Sequence, residues 1–425
     1  MGRHGGGTEL FAGRARHWIV STGAAAGVLA LLSVGLAPSA VADDVQSKQW
    51  YLDAMGAKEL WDVSTGEGVK VAVVDTGVTE TPSLKGRVLA GKDVTGLKGG
   101  ALDDYLGHGT TMAELIAGSG RGGGLKGLAP GAKIISYRLT LTGAPGKGKG
   151  KGKDGKGNYE DAEVIRAAAD SDARIISMSF GSELMHPSVA RAVKYAASKG
   201  KLMFASVGND AQKKNFIGYP AAYPHVTGIS SADKSGKVAD YSEFGEYVDL
   251  AAPGRNLPQW CDATFRSYCD GEGGTSASTA IASASAALIW SKHPNWTANQ
   301  VLRVLIDTAG RSWPKDEPSD YLGYGLVRPA PNLLKNRGNP GPPDIDPLTN
   351  EKTPGAAASP SAPQEESSKS ASQPSKDPAA DEPAEAASGS KSDDNDQLWM
   401  VGGGVAAAAV IGGGALAAAR KRRNA

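Results

Sequence analysis

Gly68-Val69-Lys70-Val71-Ala72-Val73-Val74-Asp75-Thr76-Gly77-Val78 is a run of β-branched and small apolar residues closed by an acid and a glycine. A near-continuous apolar run of this kind suits a strand covered on both faces, as in a parallel sheet. An acid at the carboxyl end of such a strand stands where open α/β sheets place their chemistry. The plainer alternative is an Asp that only caps the following turn.

Outward from this run, strand-like and helix-like stretches alternate. Apolar runs predict further strands over residues 133–139, 175–181, 201–207, 226–232 and 247–250. Helices are expected over residues 107–117, 159–171, 186–199, 276–292 and 301–309. Residues 159–171 carry Ala162, Ile165, Ala168 and Ala169 at helical spacing, and Gly200 stops the helix before it. Thr297-Ala298-Asn299-Gln300 reads as a capping box before the last helix. This alternation predicts an α/β fold: a mostly parallel central sheet with helices on both faces, in three layers.

Three further stretches carry reactive residue types. Gly107-His108-Gly109-Thr110 places a histidine between glycines at a helix start. Gly208-Asn209-Asp210 ends a strand. Gly273-Gly274-Thr275-Ser276-Ala277-Ser278 delivers a serine to the start of a helix of small residues. A helix N-terminus has unpaired backbone N–H groups and a positive dipole end, which suit a nucleophile whose attack creates an oxyanion. Taken singly, Ser276 could be a helix cap and His108 a structural or surface histidine. Together, Asp75, His108, Ser276 and Asn209 supply what acyl transfer needs: a hydroxyl nucleophile, an imidazole base, a carboxylate to orient it and an oxyanion donor.

The chain has 425 residues and a formal charge of +1, so nothing global points to nucleic acid. Residues 1–42 read as a signal peptide: Arg14, Arg16 and His17 precede an apolar run, and Ala40-Val41-Ala42 is an A-x-A end. The alternative is an uncleaved N-terminal anchor. Residues 43–48 are a short polar leader. Residues 143–157 form a Gly/Lys tract, Lys147, Lys149, Lys151, Lys153 and Lys156 against Asp154, which reads as a solvated insertion, a docking element or a self-cleavage site. Cys261 and Cys269 are the two cysteines, eight apart in the exported part, and are expected to pair; two free thiols are the other reading. Residues 338–397 hold ten prolines, 12 acids and 4 bases, a balance of −8, and read as a disordered linker. Residues 398–419 are an apolar run long enough, at roughly 33 Å, to form one C-terminal transmembrane helix. The basic residues 420–425 would stay on the cytoplasmic side. No cofactor motif or metal-ligand spacing is present, although a calcium site built from loop carbonyls would leave no trace in sequence.

From Gln49 to Leu334 the sequence resembles the subtilisin-like serine proteases. The motifs that carry the resemblance are Val-Val-Asp-Thr-Gly at Asp75, Gly-His-Gly-Thr at His108, Gly-Thr-Ser-Ala at Ser276 and Gly208-Asn209. The resemblance implies that Ser276 attacks the scissile carbonyl, His108 moves the proton, Asp75 orients His108 and Asn209 helps hold the oxyanion. It also implies a peptide substrate lying along Ser179-Phe180-Gly181, with Ser206-Val207-Gly208 walling the first specificity pocket. Signal, leader, protease, linker and anchor in this order look like the mycosins, the membrane-anchored proteases of actinobacterial type VII secretion. That likeness implies an extracytoplasmic protease domain, association with the secretion membrane complex and cleavage of secreted proteins; a scaffold of that complex with little proteolytic role is the alternative. A hydrolase of esters or lipids is a third reading, without a Gly-x-Ser-x-Gly elbow to support it. Ala277, Ala280, Ala284 and Arg328 depart from the family pattern.

Overall fold

The computed structural model describes residues 42–141 and 157–353. The expected signal peptide up to residue 41, nearly all of the Gly/Lys tract, the expected membrane helix and the basic tail lie outside the described residues, as does the expected linker beyond Thr353. Among the described residues no helix is long and apolar enough to cross a membrane.

The described residues begin with three short helices, α1 (Ala42–Ser47), α2 (Trp50–Ala54) and α3 (Ala57–Trp61), followed by β1 (Lys70–Asp75) and β2 (Val88–Asp93). Then come α4 (His108–Ala117), β3 (Lys133–Arg138), α5 (Gly157–Asp170), β4 (Ile175–Met178), α6 (Pro187–Ser198), β5 (Leu202–Ser206), β6 (Val226–Ala232) and β7 (Leu250–Pro253). A hairpin of β8 (Pro258–Trp260) and β9 (Tyr268–Asp270) precedes α7 (Thr275–Lys292), α8 (Ala298–Thr308) and α9 (Ala330–Lys335).

Seven strands form one sheet in the order β2-β3-β1-β4-β5-β6-β7. Every pairing in it is parallel. The two-residue period of β1 splits the core: Val71 and Val73 face one apolar layer and Ala72 and Val74 the other. The first layer contains α4, α7 and α8; the second contains α5 and α6. The expected three-layer arrangement is therefore present.

Two expectations, the last strand and the start of the linker, need correction. The strand placed at residues 247–250 runs instead from Leu250 to Pro253, because pairing with β6 starts at Ile229 and Leu250. Proline is tolerated there because β7 is an edge strand. The polar leader, residues 43–48, is mostly within α1 and docks: Val45 is buried, and Gln46 Nε2 donates to the carbonyls of Gly120 and Gly124 at 2.8 and 2.9 Å. The linker does not begin at residue 338, because residues 338–353 pack back on the domain. Asn299 Nδ2 donates to Pro343 O at 3.0 Å and Thr353 Oγ1 at 2.8 Å. His225 Nδ1 pairs with Asp346 Oδ2 at 2.7 Å. Composition suggested disorder, but this segment is held through its backbone carbonyls, the buried His225–Asp346 hydrogen bond and the packing of Leu348 against the core.

Burial pushes the Asp346 carboxyl up, yet the His225 hydrogen bond and charge and the Leu348 and Thr349 N–H groups outweigh it and hold it below the ordinary carboxylate range. A lowered folded value means that its stabilisation is present above the ordinary carboxylate pKa and is lost as pH falls through the lowered one. Asp346→Ala should cost about 1–3 kcal/mol near neutral pH by stranding His225 and the loop N–H groups. Thermal melts should show a drop of several degrees at pH 7 that shrinks below about pH 4.

Candidate active site

Asp75, His108, Asn209 and Ser276 all stand at the carboxyl edge of the sheet: Asp75 ends β1, Asn209 follows β5, and His108 and Ser276 open α4 and α7. Helix α7 runs through the core, with every residue from Ala277 to Trp290 buried. Two of its hydroxyls bond to carbonyls one turn back: Thr279 Oγ1 donates to Thr275 O at 2.8 Å and Ser285 Oγ to Ile281 O at 2.9 Å. The turn into it needs glycine. Gly273 has φ +87°, and a Cβ there would lie 1.7 Å from Gly254 O.

The Asp75 and His108 side chains meet directly, Nδ1 to Oδ1 at 2.7 Å. Asp75 is fully buried, whereas the His108 side chain keeps 29% of its surface exposed. Asp75 Oδ1 also accepts the Thr76 N–H at 2.7 Å, and Oδ2 is buried without a partner. Burial pulls the His108 pKa down, but the charge and hydrogen bond of Asp75, with the charge of Asp104 behind them, raise it above the ordinary histidine value. His108, Asn209 and Ser276 line one cleft of about 190 Å³. Asn209 is oriented by its oxygen, which accepts from Thr275 N and Thr275 Oγ1, both at 2.9 Å. The Ser276 backbone N–H belongs to the first turn of α7, where helix N–H groups have no partner within the helix.

The remaining expected residues fall into two groups. Ser179, Phe180 and Gly181 follow β4; Ser206 ends the neighbouring β5, and Val207 and Gly208 follow it. They thus share the edge that holds the reactive groups, and Gly208 N donates to Thr275 Oγ1 at 3.3 Å. Cys261 and Cys269 form a disulfide across the β8–β9 hairpin. Among the described residues, no group of three or more His, Cys, Asp or Glu side chains could hold a metal ion.

Sequence reasoning missed Asp104. Its carboxylate is almost fully buried and accepts five hydrogen bonds between 2.7 and 2.9 Å, from Thr76 Oγ1, Leu106 N, Gly107 N, Thr110 N and Thr110 Oγ1. It caps α4 from outside, where the N-cap Gly107 has no side chain to do so. Thr76 Oγ1 in turn accepts the Gly109 N–H at 3.0 Å, tying the Asp75 strand to the His108 helix. The available signal was a helix-capping residue type just upstream of a glycine that cannot cap.

Comparison with known proteins agrees with this geometry. The Subtilase family profile, Peptidase S8, matches residues 66–325. The chain belongs to the subtilase family. It is 30% identical to thermitase of Thermoactinomyces vulgaris over 284 residues, 65% of this chain and 95% of thermitase. Among solved structures, MycP1 from Mycobacterium smegmatis is 26% identical with a TM-score of 0.58, covering 69% of this chain and 86% of MycP1. A chain of the periplasmic assembly from the ESX-5 inner membrane complex is also 26% identical, with a TM-score of 0.58 and coverage of 75% and 89%. The protein is a subtilisin-like serine protease whose structural neighbours include mycosins.

A histidine that acts as a base must be neutral, and its folded pKa is raised, so kcat/KM should climb with pH through a midpoint above about 6.5. Asp104→Asn would set an amide nitrogen against one set of N–H and O–H donors and remove a negative charge. It should move that midpoint downward and lower kcat/KM by up to about 10²-fold through misplacement of His108. A pH–rate profile of both proteins checks this, and an unmoved midpoint would count against a positioning role for Asp104.

Proposed function

We propose that the protein is a membrane-anchored, extracytoplasmic serine endopeptidase that works beside a type VII secretion complex and cleaves secreted proteins. The observation that carries the enzymatic part is the 2.7 Å contact of His108 with buried Asp75 in a cleft that His108 shares with Ser276 and Asn209. In this reading Ser276 Oγ attacks the scissile carbonyl and His108 Nε2 takes its proton. The tetrahedral oxyanion is received by Asn209 Nδ2, whose partner oxygen is occupied by Thr275, and by the Ser276 N–H. His108 then protonates the leaving amine, and water releases the acyl group from Ser276 by the same steps in reverse. Asp75 holds the Nδ1–H tautomer and stabilises the imidazolium. The acyl side of the peptide runs along Ser179–Gly181 as an added strand.

The setting rests on sequence and likeness. Residues 1–42 serve export, 398–419 anchor the chain and 420–425 remain in the cytoplasm. The resemblance to solved mycosins and to a chain of the ESX-5 periplasmic assembly supports placement at a secretion complex. The same resemblance favours a second reading, in which the protein is mainly a scaffold of that complex. Secretion in a Ser276→Ala strain, compared with a deletion strain, separates the two.

Full-length protein in detergent should be labelled by a serine-directed fluorophosphonate, and Ser276→Ala should abolish both labelling and peptide cleavage. Asn209→Ala should keep labelling but lower turnover by about 10²–10³, the figure for this kind of donor in subtilisin. Peptide cleavage that survives Ser276→Ala would remove the catalytic assignment.

A further inference from the structure

Helix α4 carries a second acid that the catalytic assignment does not use. Glu114 follows His108 on the same helix and is fully buried. Its carboxylate joins three separate parts of the chain. Oε1 accepts from Thr81 Oγ1 at 2.5 Å, in the loop between β1 and β2, and Oε2 accepts from Tyr268 Oη at 2.7 Å, on β9 of the hairpin. Both hydroxyls already have an acceptor role. Thr81 Oγ1 takes the Leu84 N–H and Tyr268 Oη the Leu125 N–H, each at 3.3 Å. Their own protons are thus left to point at Glu114, and both bonds have the short length of hydroxyl-to-carboxylate contacts. Burial pushes the carboxyl up to about 7 against these donors.

The hairpin depends on contacts of this kind. Its strands are three residues each, and an isolated two-stranded hairpin is marginal in water. It meets α4 at two points one helical turn apart: Trp260 N donates to Thr111 Oγ1 at 3.1 Å, and Tyr268 reaches Glu114. The rings of Trp260 and Tyr268 stack with centroids 3.8 Å apart, which couples the two points. Pro258 and Gln259 of β8 line the cleft with His108 and Ser276. Pro258, Trp260 and Tyr268 line a second cavity, of about 330 Å³, together with Glu114. Lys48 lines that cavity too, but pairs with Asp270 at 2.8 Å. The hairpin is therefore a partition between the cleft and the cavity, and the Tyr268 hydroxyl is its grip on Glu114.

We propose that Glu114 is a positioning residue for the peptidase: by holding Tyr268 it fixes the hairpin against the His108 helix, and with it one wall of the cleft. This rests on the assignment of Ser276 and His108 as nucleophile and base. Glu114 acts on neither of them directly. His108 remains held by Asp75, and Ser276 by the buried helix α7. Loss of Glu114 therefore loosens the wall that meets the peptide more than the groups that react. Glutamine cannot replace it, since its NH₂ must face one of the two hydroxyls, whose own proton then has no acceptor.

The test uses the full chain in detergent at pH 8, where the carboxylate is ionised, with an internally quenched peptide as substrate. Glu114→Gln and Tyr268→Phe should each raise KM about tenfold and change kcat by less than about threefold. The double variant should be no worse than the worse single one, because both changes cut the same contact. An unchanged KM, a loss confined to kcat, or additive effects overturn the inference. A second measurement needs no turnover. By hydrogen exchange and mass spectrometry, residues 258–270 should exchange about tenfold faster in either variant while residues 276–292 keep their protection. Unmoved hairpin exchange overturns the inference, and so does a rise in both segments together, which would mean that Glu114 only supports the fold. Tyr268→Phe keeps the ring that stacks on Trp260 and loses a single hydroxyl, so it reports on the clamp even where Glu114→Gln fails to fold. Cleavage that persists in Ser276→Ala would instead break the nucleophile assignment and leave the exchange result standing, so the two failures are distinct.

Discussion

A helix of small residues passes through the middle of the apolar core, and the sheet can close over it only because those residues are small. Helix α7 packs against β4, β5, β6, β7 and α4 at once. Gly254 approaches so closely that a Cβ there would meet Ser278 Oγ at 2.0 Å. In such a site a single added methylene forces neighbours off their rotamers. The burial of α7 is also what makes Ser276 rigid, since the nucleophile sits on the first turn of an element that cannot shift without disturbing four strands.

The reactive edge is held by two buried carboxylates with different duties. Asp75 faces His108 and shapes its charge; Asp104 faces backbone N–H groups and shapes its position. Thr76 joins them, reaching both carboxylates through one hydroxyl. Burying either acid without donors would be costly, and hydrogen bonds meet both: Asp75 Oδ1 accepts the Thr76 N–H and faces His108 Nδ1, and Asp104 accepts five. The positioning of His108 is therefore a property of the loop 104–110 as much as of β1.

Much of the domain was legible because the relevant signals are local. The apolar run before Asp75, the helical spacing of Ala162, Ile165 and Ala169, and the Thr297–Gln300 capping box all depend on neighbours within one turn or one strand. Edge strand β2 was not legible, since its middle residues are exposed and carry no apolar alternation. The hairpin β8–β9 was missed for a similar reason, each strand being three residues long. Residues 338–353 misled composition because polar side chains of α8 hold their carbonyls, an interaction that leaves no hydrophobic trace.

By itself the sequence determined the α/β class, the order acid, histidine, serine, and the residue types of acyl transfer. These follow from periodicity and from motifs a few residues long. Only the tertiary structure decided that Asp104 caps the His108 helix, that the leader docks on the Gly118–Gly124 loop, and that Pro258 and Gln259 of the hairpin line the cleft with His108 and Ser276. Each of these joins residues far apart in the chain, Thr111 with Trp260 or Gln46 with Gly120. Such contacts are selected by how the whole core packs, and no local pattern of residues carries that information.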